Sequence, residues 1–205
     1  GHTNVTAVVG QDFGSPTAGW CALTRPDFFR SLVMMSAPFG GAPALPRPAP
    51  VAPVAPARSL DEELAALPAP RKHYQTYYTT REANENMWHP PQGVHNFLRA
   101  YYHMKSADWA ANTPFPLANN SAAEMAELPR YYVMDLDKGM AESVASETPS
   151  AAAVANCKWL TDEELRVYSG EYGRTGFQGG LQSYRVGRVP RLSAELQLFA
   201  GRTVD

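Results

Sequence analysis

An α/β fold, in which a short parallel sheet leads into a large helical layer, is predicted by three features of this 205-residue sequence. Near the start, two short apolar runs flank a helical run, the strand–helix–strand order that builds a parallel sheet flanked by helices. A stretch crowded with proline follows. Beyond it, three capping-box patterns and an amphipathic run mark a succession of helices.

Residues Asn4–Val9 (NVTAVV) are β-branched and apolar and read as a buried strand ending at Gly10. The run comes so early, with no partner strand before it, that the chain is expected to be a piece of something longer. Pro16 suits a first helical turn, where a missing N–H costs nothing; the run through Trp20 and Leu23 then stops before Pro26. Ser31–Met35 (SLVMM) reads as the second strand, closed by Ser36-Ala37-Pro38. Nine of the 18 prolines fall between Pro38 and Pro70, densest from Ala42 to Ala57, and favour an extended polyproline connector over the surface. A ligand for a proline-recognition domain is the sharper alternative, and the linker is preferred.

Ser59-Leu60-Asp61-Glu62, Ser121-Ala122-Ala123-Glu124 and Thr161-Asp162-Glu163-Glu164 each fit the capping box at the head of a helix. Val94–Met104 carries apolar residues at helical spacing, Ser150 is a further N-cap, and Leu192–Phe199 is apolar and helix-like. The division expected is therefore 1–38 for the partial sheet layer, 39–70 for the connector, 71–185 for the helical domain and 186–205 for a return segment. No segment repeats at a fixed period.

With 44% hydrophobic and 19% charged residues, the composition is that of a soluble globular protein. Eighteen Lys and Arg against 20 Asp and Glu, a net charge of -2, leave no positive field to neutralise phosphates, so nucleic acid is not an expected partner. No run reaches the roughly 18 apolar residues of a membrane span, and no secretory signal opens the chain. A cytoplasmic location is expected. Cys21 and Cys157 are too few and too far apart for a disulfide framework or a thiolate zinc site and read as reduced thiols.

Two constellations carry chemistry. Gly10-Gln11-Asp12-Phe13-Gly14 is small-x-acid-x-small between a strand and a helix. A nucleophile at such a turn adopts strained backbone angles that lift its side chain above the sheet, and small neighbours are needed where strand and helix pass closely. The helix start favours a negative charge there, which makes Asp12 a candidate covalent nucleophile and the Phe13 N–H a candidate oxyanion donor. The same five residues also suit a plain turn or an N-cap. The second constellation is tyrosine-rich: His73-Tyr74-Gln75-Thr76-Tyr77-Tyr78, and Gly176-Phe177-Gln178-Gly179-Gly180-Leu181-Gln182-Ser183-Tyr184-Arg185. Neutral phenols converging on one oxygen would polarise a strained ether or stabilise a developing alkoxide. Amphipathic packing residues with a wet hydroxyl are the plainer reading. Asp135 and Asp137, at i and i+2, invite a cation but lack further ligands, so a solvated or capping role is expected. His73, His89, His95 and His103 lack zinc-like spacing, and no metal is expected.

Together these motifs resemble an internal stretch of an α/β-hydrolase of the epoxide-hydrolase type. Asp12-Phe13-Gly14 is similar to that family's elbow of Asp, aromatic and Gly. Ser36-Ala37-Pro38-Phe39 is similar to the segment closing its next strand. Tyr74-Gln75-Thr76-Tyr77 and Gly176–Arg185 are similar to the motifs holding its two cap tyrosines. The resemblance covers nearly the whole chain. It implies a partial α/β-hydrolase core of strand, elbow, helix and strand, with a large α-helical cap insert.

It also implies a two-step hydrolysis of a small apolar epoxide by water, with no cofactor and a role in detoxification. Asp12 would attack an epoxide carbon while Tyr74 and Tyr184 hold the ring oxygen, and water would cleave the resulting ester to a diol. The histidine base with its acid, and the His-Gly-x-Pro loop of the other oxyanion contact, match nothing in this chain, so full turnover is not expected of these residues alone. Gln11 stands where the family often has His. A haloalkane dehalogenase shares the Asp chemistry, but that family places Trp beside the nucleophile, and Phe13 has no side-chain N–H to donate. A truncated, non-catalytic homologue is the remaining alternative.

Overall fold

The structure, a computed structural model, describes residues 1–45 and 58–204. Most of the proline-dense run Ala42–Ala57, expected to be extended, lies outside the described residues. The chain divides into two units, Gly1–Val54 with Val189–Asp205, and Ala55–Arg188. Each is described by itself.

The first unit opens with the anticipated strand–helix–strand: β1 (Val8–Gln11), α1 (Gly14–Thr24) and β2 (Leu32–Met35). The strands pair in parallel, Val8 against Leu32 through Gln11 against Met35. One face of α1 is built from small residues at spacings of three and four, and Ser15, Ala18, Gly19 and Ala22 are buried there with Leu23. Small side chains let the helix approach closely. A Cβ on Gly10 would overlap the Gly14 carbonyl, and one on Gly19 would overlap the Phe39 ring. Phe39 meets Trp20 edge-on at 5.5 Å between ring centroids. Past Thr24 the helix stops at Arg25, whose N–H closes on the Cys21 carbonyl, and Pro26 prevents its continuation.

The strand expected at Asn4–Val9 is displaced. Regular pairing runs over Val8–Gln11, and Val5 is joined to Phe29 only by an isolated bridge. Side-chain preference favoured the β-branched residues, but a ladder extends only where its partner does, and β2 lies opposite Gly10 and Gln11. Nor is the strand buried: β2 is its one partner among the described residues, and Val9 is 60% exposed.

In the second unit come α2 (Leu60–Ala65), β3 (Arg71–His73), α3 (Tyr74–Tyr77), α4 (Arg81–Trp88), α5 (Gly93–Met104), α6 (Ala122–Met125), β4 (Val133–Asp135), α7 (Met140–Ala145), α8 (Ala151–Asn156), α9 (Asp162–Thr175) and α10 (Gln178–Arg188). Back in the first unit, α11 (Pro190–Ser193) and a 3-10 turn (Ala194–Phe199) replace the single helix expected near Leu192. The N-caps read from the sequence form. Ser59 and Thr161 complete capping boxes with Glu62 and Glu164, and Ser150 accepts the Ala153 N–H. At Ser121 only half the box forms, because the Glu124 carboxylate accepts the Ala118 N–H instead of turning back.

The core of this unit gathers Phe97, Met134, Met140, Val144 and Leu165, each fully buried. Phe97, Ala100 and Met104 come from the apolar face of α5, at the helical spacing seen in the sequence. Beside them β3 and β4 pair antiparallel, Arg71 against Asp135. The Asp135 carboxylate is held by Arg71, by Arg130 at 3.2 Å and by Lys138 at 3.0 Å. That corrects the solvated or capping role expected of it: three cations converge on it from β3, the α6–β4 connection and the following turn. No helix among the described residues is long and apolar enough to cross a membrane.

Candidate active site

Asp12 sits in the turn between β1 and α1 with φ +51°. A non-glycine residue in that left-handed region is strained, by about 1–2 kcal/mol for most side chains and less for Asp. The turn is held on both sides. The Asp12 N–H donates to the Met35 carbonyl at 3.0 Å, and the Asp12 carbonyl accepts the Ser15 N–H at 3.0 Å. Phe13 follows at φ -61° and ψ -20°, already helical, so its N–H belongs to the opening turn of α1. Gln11, beside Asp12, reaches the Ser36 hydroxyl at 3.4 Å, and Ser36 is itself left-handed at φ +70°.

Tyr74 and Tyr184 belong to the second unit, and the fold brings them together. Tyr74 opens α3, its N–H on the Tyr132 carbonyl at 2.9 Å and its hydroxyl accepting the Gln75 side-chain amide at 3.2 Å. Tyr184 lies 110 residues later on α10, yet the two ring centroids are 5.9 Å apart. Tyr78 meets both rings edge-on, Tyr74 at 5.4 Å and Tyr184 at 5.0 Å. Its hydroxyl lies 3.5 Å from that of Tyr101. Burial, above all, pushes the Tyr78 phenol well above its ordinary value and Tyr101 up to about 12, so both stay protonated at physiological pH.

Two residues that the sequence reading did not single out hold this cluster. Tyr78 is the wedge between the paired tyrosines. Arg185 donates to the Thr79 carbonyl at 3.1 Å and to the Thr80 carbonyl at 3.0 Å, tying α10 to the turn between α3 and α4. The one signal for Arg185 was its place directly after Tyr184. Next to these rings lies a cavity of about 220 Å³ with Phe97, Tyr101, Phe177, Leu181 and Tyr184 in its wall. Another, of about 210 Å³ around Arg99 and Trp159, has neither Tyr74 nor Tyr184 in its wall.

Three of the histidines, His73, His89 and His95, have partners for their side chains. His73 caps α3 by accepting the Gln75 N–H, and burial, together with Arg188, lowers its pKa. His95 bridges Ser169 at 3.1 Å and Asp162 at 2.9 Å, and His89 pairs with Glu85. Among the described residues no three His, Cys, Asp or Glu side chains gather as they would around a metal ion.

No protein-family model and no curated protein matches the chain. Solved structures do. The chain is similar to an epoxide hydrolase from an endophytic Streptomyces, with a TM-score of 0.65 and 25% identity over 99% of this chain and 50% of that one. It is also similar to a laboratory-evolved variant of potato epoxide hydrolase, TM-score 0.54 and 20% identity, and to a mutant of that potato enzyme, TM-score 0.50 and 20% identity. Both cover 99% of this chain and 50% of theirs. The chain thus spans about half the length of the structures it matches, and over that span its fold is the α/β-hydrolase fold of epoxide hydrolases, a partial core with a helical cap.

Proposed function

We propose that this chain supplies the nucleophile elbow and the cap of an epoxide hydrolase, with Asp12 as nucleophile and Tyr74 and Tyr184 as donors to the epoxide oxygen. The observation that carries the reading is the left-handed backbone of Asp12 between a strand and a helix whose closest approach excludes any side chain at Gly10. In the reaction an Asp12 carboxylate oxygen bonds to an epoxide carbon. The ring C–O bond breaks, and its electron pair stays on an oxygen that accepts two phenol hydrogen bonds and takes a proton from one of them. In the second step water adds to the ester carbonyl, whose developing oxyanion the Phe13 N–H serves; the acyl C–O bond breaks to free the diol and the Asp12 carboxylate, and the proton left over from water restores the phenol that gave its own to the ring oxygen. The aromatic cavity wall beside Tyr184 favours an aryl-substituted epoxide. On this reading residues 71–185 are the cap domain, 1–38 part of the catalytic core, 39–70 the connector and 186–205 the return to the core.

The test is intact mass after incubation with styrene oxide. One equivalent of epoxide should add to the 205-residue chain at Asp12, and none to Asp12→Ala. An adduct surviving in Asp12→Ala would overturn the assignment. Tyr74→Phe and Tyr184→Phe should each slow adduct formation on the order of a hundredfold, as loss of one oxyanion-type donor does.

A further inference from the structure

We infer that the Ser15 hydroxyl is a positioning residue for the elbow, the group that holds the strained Asp12 backbone in place. Ser15 is fully buried on the inner face of α1, three residues after Asp12. Its hydroxyl touches both strands where they end: the Gly10 carbonyl at 2.9 Å, the Met35 carbonyl at 2.8 Å and the Met35 N–H at 3.1 Å.

The accounting of donors assigns each bond. The Met35 carbonyl already receives the N–H of Asp12 at 3.0 Å and that of Ala37 at 2.9 Å, one for each lone pair. The single hydroxyl proton of Ser15 is therefore best spent on the Gly10 carbonyl, while its oxygen accepts the Met35 N–H. Those two groups are a rung of the sheet. The parallel ladder places the Val8 N–H on the Ser31 carbonyl and the Asp12 N–H on the Met35 carbonyl, and alternation between them assigns the Met35 N–H to Gly10. Ser15 reaches into that rung at the point where β1 leaves the sheet to form the turn.

The consequence concerns Asp12. A left-handed residue persists only where its surroundings over-determine it. Here the Met35 peptide anchors the Asp12 N–H, and Ser15 anchors both the Met35 N–H and the residue two before Asp12, while its own N–H closes on the Asp12 carbonyl. An alanine would keep that last bond and the Asp12 N–H on the Met35 carbonyl, and would lose the two bonds that the hydroxyl makes. Small residues here are explained by close packing alone; a hydroxyl adds bonds that packing does not require.

The proposal rests on the reading of Asp12 as nucleophile for its chemical consequence, and not for its structural one, so two measurements on the full chain separate them. The first is amide hydrogen exchange. Wild type should protect the Asp12 and Met35 amides strongly. Ser15→Ala should exchange both roughly tenfold faster while Leu165, in the other unit, is unchanged. Fast exchange of these amides in wild type, equal exchange in the variant, or an acceleration spread over the whole chain would overturn the inference without reference to any reaction. The second is styrene oxide adduct formation followed by intact mass. Ser15→Ala should lower the limiting rate about tenfold and leave the half-saturating epoxide concentration unchanged. An unchanged limiting rate beside wild type that reacts would also overturn it. Wild type that forms no adduct would count against Asp12 as nucleophile, and the exchange result would still decide the role of Ser15.

Discussion

Gly10 and Gly14 are both glycines in one five-residue turn, but only one of them has no room for a side chain. A Cβ at Gly10 would run into backbone of the first turn of α1, which cannot step aside, whereas a Cβ at Gly14 meets nothing within 4 Å. Gly10→Ala should therefore destabilise the first unit by about 1–3 kcal/mol, the usual cost of overpacking. Gly14→Ala should be close to neutral. Thermal unfolding followed by calorimetry checks this, and equal losses in the two variants would refute the close-approach account. The strand–turn–helix around Asp12 was legible at this scale because the alternation of small residues around an acid is local. The role of Ser15 was not, since its partners Gly10 and Met35 lie on two different strands and only folding sets them around one hydroxyl.

Helix starts were the most readable elements. An N-cap binds the helix it begins, within three residues, and Ser59, Ser150 and Thr161 each accept the N–H their positions imply. Ser59→Ala and Thr161→Ala should each cost the second unit about 1 kcal/mol, read as a lower denaturant midpoint at unchanged slope. The docking of α10 was silent in the sequence. Arg185 spans more than a hundred residues to the carbonyls of Thr79 and Thr80, and Arg188 likewise reaches Gln75 at 2.8 Å. Arg185→Ala should raise amide exchange along α10 several-fold and slow adduct formation although Tyr184 is intact. Unchanged exchange along α10 would show that ring packing alone holds the pair.

Across the whole molecule, buried phenols set the response to alkali. Tyr78 is raised well above its ordinary value, and Tyr101 and Tyr102 are raised to about 12, each chiefly by burial. An unfolded tyrosine ionises near 10. Folding therefore holds these protons more tightly, so the stabilisation is fully present below pH 10 and is lost as pH rises from there toward 12. Unfolding free energy measured by denaturant at several pH values should be flat up to about pH 9 and fall beyond 10. Tyr101→Phe should shallow that fall. A fall of wild-type steepness in Tyr101→Phe would mean that this phenol does not carry it.

What the sequence by itself determined is whatever depends on neighbours along the chain. The strand–turn–helix around Asp12, the helix caps, the amphipathic face of α5 and the order of the two tyrosine motifs all follow from residues a few positions apart. Tertiary structure alone decided the rest. It moved the first strand from Asn4–Val9 to Val8–Gln11, because pairing and not propensity ends a ladder. It gave Asp135 to three cations, and it brought Tyr74 and Tyr184 to 5.9 Å with Tyr78 wedged against both. Each of these is a contact between residues far apart in sequence, and side-chain spacing along one segment carries no record of what another segment will bring against it.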